Sequence, residues 1–358
     1  MSTPLGTTPQ TATADRSVAG LARRLFAALL PEERALIWVI LSAMLLCFST
    51  GTGFTIHNVL DGYDNLFAYN LALIFVASRL ILQWRRTHPY AAAWTNRPSL
   101  SADLSLLRST VFLFAYLTVY TNVKVRIPVL NPRTHDWGLR MFDRAMLFGH
   151  DPVELFRSLN AYPDVVKFLD RVYHHDYIFM ALVTVLLYVN NGPRHVRHLI
   201  TSMGFLYITG VVITAFWPTV GPCFFEPGSY RWIGKLHLDS AESQSMLRGQ
   251  ARAIREAAAL AENHEVKAFS GIAAFPSLHV AHCMLLVRFA WTYFPKLNYL
   301  LIPVVLLTWI ATLTFGWHYL SDGLVGPILV AWAWWASKRL ILANDNSLVD
   351  TLPAHERT

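Results

Sequence analysis

Two short stretches near the end of the chain contain the residue types that phosphoryl-transfer chemistry requires. They are FPSLHVA at 275–281 and GWHYLSD at 316–322. His318 and Asp322 are four residues apart, so they share a face if a helix begins by Trp317, and the carboxylate can then accept a hydrogen bond from one ring nitrogen. That bond fixes the tautomer, and the other ring nitrogen keeps a lone pair and can act as a nucleophile.

The first stretch supplies the groups that would complete such a reaction. His279 can protonate a leaving oxygen. Pro276 suits the first residue of a helix, where its missing N–H is no loss, and helix N-termini bind phosphate. Ser277 adds a hydroxyl donor. With His318 and Asp322, these residues predict phosphoryl transfer through a phosphohistidine.

A structural interpretation also fits each stretch taken alone. A histidine with an aspartate at i+4 near a membrane interface is often only a hydrogen-bonded pair, and Pro-Ser at a helix start is ordinary capping. The catalytic interpretation therefore depends on whether the two stretches meet in the fold.

The apolar runs beside the two stretches predict that they do meet. The runs 276–294 and 298–316 are separated only by the turn at 295–297. At about 1.5 Å rise per residue each is roughly 28 Å long, close to the hydrocarbon thickness of a bilayer. They predict an antiparallel pair of membrane helices, in which the start of the first and the end of the second lie at the same face.

The composition indicates an integral membrane protein. Of the 358 residues, 54% are hydrophobic and 15% charged, whereas soluble domains carry about 25% charged residues. The net charge of +7 does not indicate nucleic acid, because the basic residues are spread between apolar runs. We therefore expect membrane lipids, and not nucleic acid, as partners.

The predicted fold is all-α, a polytopic membrane bundle of about eight transmembrane helices. The spans are expected near 35–55, 66–82, 104–120, 177–189, 199–217, 276–294, 298–316 and 323–342. With both termini cytoplasmic, the short segments rich in Lys and Arg fall inside, as the positive-inside rule requires. Both motif stretches then face outward, and we expect the site on the extracytoplasmic side of the plasma (cytoplasmic) membrane.

The chain divides into one large domain and two tails. Residues 1–30 are expected to be a disordered or amphipathic cytoplasmic tail, 31–343 the membrane domain with its catalytic core at 199–342, and 344–358 a second cytoplasmic tail. In the long outer loop at 122–176, the apolar pattern from Trp137 to Leu147 predicts a short amphipathic helix, either a lid or a brace.

The two stretches resemble known signature motifs. FPSLH at 275–279, and GWH at 316–318 with Asp322, are similar to the second and third motifs of the type 2 phosphatidic acid phosphatase superfamily. The closest resemblance is to its inositol phosphorylceramide synthase branch (inositolphosphotransferases), where Leu replaces the Gly of Pro-Ser-Gly-His. It covers about 199–342. It implies His318 as nucleophile, Asp322 as its orienting carboxylate and His279 as general acid, acting on a lipid phosphate or phosphoinositide with no metal and no cofactor.

Two cationic positions of that superfamily are missing here. Its first motif has a Lys followed by Arg-Pro, but 216–222 is FWPTVGP, and Thr312 stands where a phosphate-binding Arg is expected. Because a phosphoryl transition state spreads charge over its equatorial oxygens, some other cation or a row of N–H donors must replace them. We favour Lys124, Arg126 and Arg248, ahead of three other outer-face cations. These are Arg252, Arg255 and Lys267.

Three functional hypotheses follow. The first is a lipid phosphotransferase that passes a phosphate-bearing headgroup through a phosphohistidine to a lipid alcohol. The second is a lipid phosphate phosphatase that hydrolyses phosphatidate or polyprenyl phosphate. The third is a transporter or scaffold without covalent chemistry, which would favour charges deep within its spans. A zinc site built from histidines lacks compact ligand spacing, so no metal is expected. The histidines considered for it are His174, His175, His279 and His318.

Overall fold

The computed structural model describes residues 29–49, 54, 73–81, 83–84, 100–259 and 272–342. All regular secondary structure among these residues is helical, which confirms the predicted all-α class. The predicted tails lie almost wholly outside the described residues, as do residues 66–72 and 82 of the predicted span at 66–82 and the candidate cation Lys267.

The described α-helices run in chain order as follows. They are α1 (Pro31–Ser49), α2 (Leu100–Lys124), α3 (Ile127–Leu130), α4 (Asp136–Met146), α5 (Pro152–Arg157), α6 (Pro163–His175), α7 (Tyr177–Asn191), α8 (Pro193–Phe216), α9 (Pro222–Phe225), α10 (Asp239–Ala259), α11 (Leu278–Tyr293), α12 (Asn298–Thr314), α13 (Leu320–Leu324) and α14 (Gly326–Leu342). Short 3-10 turns occur at Ser158–Ala161, Pro227–Tyr230, Ile233–Leu236 and Pro295–Leu297. Residues 73–81 and 83–84 are also helical.

Several of these helices can cross a membrane. Three are long and apolar enough among the described residues, namely Asp103–Leu130, Pro193–Phe216 and Pro295–Thr314. Helices α6 and α7 meet at a 45° bend and together qualify as a fourth, broken span. The chain is therefore a helical membrane protein, while the count of eight spans stays a prediction, because α11 and α14 have only 16 and 17 residues.

Helix α8 lies at the centre of the bundle. It packs against α2, α7, α11 and α14, and its residues Leu199, Met203 and Leu206 are fully buried in the main core. Pro193 is its first helical residue, where a missing N–H costs nothing, and Pro218 follows its end. The outward faces of the helices instead expose large apolar side chains, as lipid-facing helices do: Trp38 is 63% exposed and Trp291 64%.

Short helices cover the end of α12 that carries the second motif. A separate apolar cluster joins Phe315 and Trp317, at that end, to Leu169 and Tyr173 of α6 and to Ile233 in a 3-10 turn. Burial of these side chains fixes the covering helices to the bundle, since each large apolar side chain contributes roughly 1.5–3 kcal/mol when buried. The motif loop is thereby enclosed by protein on several sides.

Helix α4 confirms the predicted amphipathic helix, with a polarity opposite to that of a soluble surface helix. Its outward face is apolar, with Trp137 62% and Phe142 55% exposed, whereas Asp136 and Asp143 on the other face are fully buried. Exposed apolar side chains on a short helix beside membrane spans are the pattern of a helix that lies along a membrane surface.

Candidate active site

The two motif stretches meet in the structure. The imidazole rings of His279 and His318 lie with their centroids 6.3 Å apart. The backbone N–H of Ser277 donates to the backbone carbonyl of Asp322 across 3.2 Å, so the main chains of the two stretches are joined directly. Both histidines are close enough to reach a single phosphoryl group.

His318 is held through its Nδ1 atom. This atom lies 2.7 Å from the carbonyl oxygen of Ala274 and 3.3 Å from Oδ2 of Asp322. Because a carbonyl oxygen can only accept, Nδ1 must carry the proton, and the lone pair is left on Nε2. Ala274 makes this contact through its backbone and its side chain is only a methyl group, so its residue type gave no sign of the contact.

The contact between Asp322 and His318 arises differently from the prediction. Helix α13 begins at Leu320 and not by Trp317, so the two residues do not share one helix face. Instead, Asp322 lies in the first turn, and its Oδ2 accepts the backbone N–H of Tyr319 at 2.8 Å. This turns the carboxylate back toward His318.

The Asp322 carboxylate is completely enclosed. It is 0% exposed, and burial raises the pKa of this group, while the hydrogen bond from His318 opposes the shift. Its second oxygen, Oδ1, has no hydrogen-bond partner among the described residues. A buried carboxylate of this kind depends on the partners it does have, because an ionised group without them would be costly to enclose.

The first stretch also differs slightly from the prediction. Helix α11 begins at Leu278, with Ser277 as its N-cap, so Pro276 precedes the helix and is not its first residue. The Ser277 side chain is fully buried, and its Oγ has no hydrogen-bond partner among the described residues. The buried hydroxyls of Thr184 and Thr201 are also without a partner among the described residues, so the predicted contact of Ser277 with substrate stays a prediction.

Two tyrosines from the bend between α6 and α7 surround His279. The hydroxyl of Tyr173 lies 3.4 Å from Nδ1, and that of Tyr177 lies 3.5 Å from Nε2. Tyr173 also stacks on Trp317, with ring centroids 5.9 Å apart. From the sequence, the run at 173–177 could line a polar headgroup pocket, but an interfacial aromatic belt is the favoured interpretation, and neither tyrosine is predicted to contact His279.

The three favoured cations occupy different surroundings. Lys124, at the end of α2, is close enough to His279 for their charges to interact, and its ammonium lies 5.4 Å from the ring centre of Tyr120. Arg126 is only 3% exposed and donates to the backbone carbonyl of Asn122 at 2.6 Å. Arg248 donates to the carbonyl of Cys223 at 3.2 Å. Of the three, Lys124 is therefore the cation whose charge acts on His279.

Two glycines shape the backbone around His318. Gly316 has a φ of +69°, and a Cβ at this residue would collide with the ring of Tyr230. Gly221 has a φ of +85°, and a Cβ there would meet the carbonyl of Trp317. Both positions require the left-handed backbone that glycine adopts without strain. They let the two loops lie directly against each other.

One group among the described residues has the spacing of metal ligands. Asp170, His174 and Asp239 hold their ligand atoms within 4.8 Å of one another. The Asp170 carboxylate already accepts the backbone N–H groups of Asp239 and Ser240, at 2.9 and 3.2 Å, and the Ser240 hydroxyl at 2.5 Å. The group is therefore accounted for as the N-terminal cap of α10.

The comparison with known families gives the class of the protein. A family model described as the PAP2 superfamily matches residues 137–336, which is more than half of the chain. The chain belongs to this superfamily, whose members are generally phosphatases or phosphotransferases that act on lipid phosphates in membranes. No curated protein and no solved structure matches the chain significantly.

Proposed function

We propose that the protein is a membrane phosphotransferase that takes a phosphate-bearing headgroup from a lipid onto His318 and passes it to the hydroxyl of an acceptor lipid, as inositol phosphorylceramide synthases do. The observation that carries the proposal is the histidine pair. His318 has its Nδ1 proton held by Ala274 and Asp322, so its Nε2 is the lone-pair atom, and His279 stands 6.3 Å away.

The reaction has two steps through one covalent intermediate. In the first, Nε2 of His318 attacks phosphorus and the bond from phosphorus to the donor's diacylglycerol oxygen breaks. His279 gives its proton to that oxygen, and the diacylglycerol leaves. In the second, His279 takes the proton of the acceptor hydroxyl, whose oxygen attacks phosphorus as the N–P bond breaks. His318 is then free again and His279 is protonated.

Charge on the transferring group must be stabilised by groups other than the superfamily's usual cations. Thr312 stands where the usual Arg is expected, and 216–222 contains no Lys or Arg. Lys124 is our first choice as the replacing cation because its charge interacts with His279. The buried hydroxyl of Ser277 is suited to donate to one equatorial oxygen. Arg126 and Arg248 are the second choices, since both already donate to backbone carbonyls.

Hydrolysis is the alternative outcome of the same chemistry. Superfamily membership includes phosphatases, and water in place of the acceptor hydroxyl would release inorganic phosphate from phosphatidate or polyprenyl phosphate. Transfer requires that water be kept away from the phosphohistidine. The enclosure of His318, which is 6% exposed, and the aromatic side chains of Tyr173 and Trp317 beside the pair support transfer.

We further propose that residues 31–343 form one membrane domain of about eight spans, with both tails in the cytoplasm and the site on the outer side of the plasma membrane. Asp164 and Lys296 would then lie on opposite sides, and both are exposed. The native cysteines are buried, so background labelling should be low. In intact cells an impermeant maleimide is expected to label Asp164→Cys and not Lys296→Cys; the reverse result would invert the topology.

The activity is tested with purified protein in detergent. A phosphoinositide or phosphatidate that is radiolabelled in its phosphate is supplied with and without an acceptor, either ceramide or a diacylglycerol whose acyl chains differ in length from those of the donor. The products are separated by thin-layer chromatography that resolves chain length. We expect a new labelled lipid that appears only with acceptor and is absent in His318→Ala. Water-soluble phosphate released regardless of acceptor would identify a phosphatase. Full function in the His318 variant would instead favour a transporter or scaffold.

A further inference from the structure

Helix α4 turns two carboxylates toward the interior. Asp136 and Asp143 are seven residues apart, nearly two full turns, so they lie on the same helix face. Both are fully buried. From the sequence α4 is expected to be a lid or a brace, and neither aspartate belongs to a motif. A buried carboxylate is costly unless it is hydrogen-bonded, so the partners of these two indicate what they are for.

Asp143 holds the start of helix α13. Its Oδ2 accepts the backbone N–H of Leu320 at 2.6 Å, and its Oδ1 accepts that of Ser321 at 3.0 Å. These two N–H groups belong to the first turn of the helix that carries Asp322, immediately after His318 and Tyr319. Hydrogen bonds from N–H to an ionised carboxylate are short and strong, so Asp143 fixes the loop on the C-terminal side of His318.

Asp136 holds the loop that follows α8. Its Oδ1 accepts the backbone N–H of Val220 at 3.0 Å and that of Gly221 at 2.9 Å. The same oxygen accepts the hydroxyl of Tyr319 at 3.1 Å. One carboxylate therefore binds both the loop at 219–221 and the residue directly after His318.

The loop that Asp136 holds reaches His318 from the other side. The carbonyl of Thr219 accepts the backbone N–H of Ala274 at 2.9 Å, and its hydroxyl oxygen accepts the N–H of Phe275 at 2.7 Å. Ala274 in turn supplies the carbonyl that accepts from Nδ1 of His318. The chain of contacts runs from Asp136 through Thr219 and Ala274 to the imidazole ring.

We propose that Asp136 and Asp143 are positioning residues for the transfer reaction: from one helix they fix the two loops that hold His318, and so set the direction of its Nε2 lone pair. The inference rests on the proposed function, because it concerns the orientation of the proposed nucleophile. Neither aspartate would touch the substrate, and both would act through the backbone groups that they bind.

The test separates the speed of the first chemical step from the amount of folded enzyme. Each variant is reconstituted in lipid nanodiscs and mixed rapidly with a radiolabelled phosphoinositide, and the labelled protein is quantified at successive quench times. The amplitude gives the fraction of competent enzyme, and the rate constant describes the competent molecules. Misplacement of reacting atoms by about 1 Å can lower a rate about a hundredfold. We therefore expect losses of that order in the rate constant for Asp136→Asn and Asp143→Asn.

Three further variants sharpen the result. Asp143→Glu keeps a carboxylate and should recover part of the lost rate. Tyr319→Phe removes only the hydroxyl that donates to Asp136, so it remains usable if an Asn variant does not fold, and a loss of a few fold is expected. Glu32→Gln removes the charge of another buried carboxylate, which binds Arg197 on α8 and belongs to no part of the proposed site. This control should reduce the amplitude and leave the rate constant near that of the wild type.

The outcomes distinguish two kinds of failure. If His318→Ala still becomes labelled, the proposed function itself is wrong. If His318→Ala is not labelled, while the folded Asp136 and Asp143 variants and Tyr319→Phe keep the wild-type rate constant at reduced amplitude, the aspartates are only structural. A reduced rate constant with a wild-type amplitude, partly recovered in Asp143→Glu, supports positioning.

Discussion

The two histidines of the site are held in contrasting ways. His318 is 6% exposed, and its Nδ1 is bound at 2.7 Å by a carbonyl and at 3.3 Å by a carboxylate. His279 is only part-buried, and its ring nitrogens have tyrosine hydroxyls at 3.4 and 3.5 Å. Contacts of that length are at the limit of a hydrogen bond. The His318 ring is therefore held in one orientation, whereas the His279 ring is held only weakly.

This difference matches the two roles that the proposed mechanism assigns to the histidines. A nucleophile must direct one lone pair at one atom, so firm positioning of His318 favours reaction. A general acid that serves first a leaving diacylglycerol and then an acceptor hydroxyl must reach two oxygens in different molecules. The looser surroundings of His279 permit that, so the two rings are expected to respond differently to substitution.

The largest effect is expected from substitution of His318, the firmly held histidine. His318→Ala should remove turnover completely, because it removes the proposed nucleophile that forms the covalent intermediate. The measurement is acceptor-dependent formation of labelled lipid, together with acid-labile label on the protein. Correct folding of the variant is checked by size-exclusion chromatography. Residual turnover at the wild-type rate would exclude a phosphohistidine at this residue.

The next largest effect is expected from substitution of His279, the weakly held histidine. His279→Ala should lower the rate about a thousandfold, within the range for loss of a general acid. A phosphodiester lipid with a nitrophenol leaving group needs no proton, so the first step should recover in His279→Ala and not in His318→Ala. Equal behaviour of the two variants with this substrate would contradict the assigned roles.

Asp322→Asn should be less damaging than loss of either histidine. The carbonyl of Ala274 still holds the Nδ1 proton of His318, so the tautomer survives and only the carboxylate's support for developing positive charge is lost. We expect a fall in kcat of about a hundredfold, below the roughly 10⁴-fold that the loss of a sole orienting carboxylate can cost. A larger loss would mean that Ala274 contributes little.

Protonation of Asp322 is expected to have opposite effects on activity and on folding stability. Burial raises the pKa of Asp322, so its ionised form, and the activity that depends on it, are lost at a higher pH than for an ordinary aspartate. For stability, the folded state binds this proton more tightly than the unfolded chain does. The contribution to folding is therefore fully present below the unfolded pKa and is lost as the pH rises through the raised value. Thermal unfolding from neutral to acid pH should show this trend in the wild type and not in Asp322→Asn.

Lys124→Ala tests the cation whose charge acts on His279. We expect kcat/KM to fall roughly tenfold, less than for a fully enclosed oxyanion donor, because Lys124 is only part-buried. Arg126→Ala is the comparison variant: this guanidinium is 3% exposed and bound to Asn122, so its loss should lower the melting temperature more than the rate per folded molecule. A stronger catalytic defect in Arg126→Ala would reverse our order of cations.

The smallest effects are expected from the tyrosines. Tyr173→Phe and Tyr177→Phe each remove one hydroxyl at the hydrogen-bond limit from His279, and a loss of at most about fivefold in kcat is expected for a weak neutral bond. The pH profile of kcat/KM should shift slightly because the surroundings of the imidazole change. A loss as large as that of His279→Ala would show that the ring is held more firmly than its distances indicate.

The sequence was sufficient to predict that the two motifs meet, because their meeting follows from local features of the chain. Two apolar runs with a short turn between them must form a hairpin, so the stretches beside His279 and His318 had to approach one another. The amphipathic pattern of α4 was likewise readable from residue types. The roles of these residues in a reaction stay predictions that the experiments above address.

The remainder depends on contacts that no local pattern contains. Ala274 binds His318 through its backbone, and the loop that positions it is held by Asp136 from far away in the chain. The start of α13 at Leu320 follows from N–H groups bound by Asp143. Neither the choice among the three cations nor these bonds follows from residue type or spacing.

The inverted polarity of α4 has a practical consequence for handling the enzyme. Trp137, Met141 and Phe142 face outward on the same helix that holds both loops around His318. A detergent belt that covers only the spanning helices leaves these side chains in water, where the apolar face has no favourable contact. Extraction conditions should thus be chosen by recovery of activity on adding lipid back, since circular dichroism of the bundle would not register a displaced eleven-residue helix.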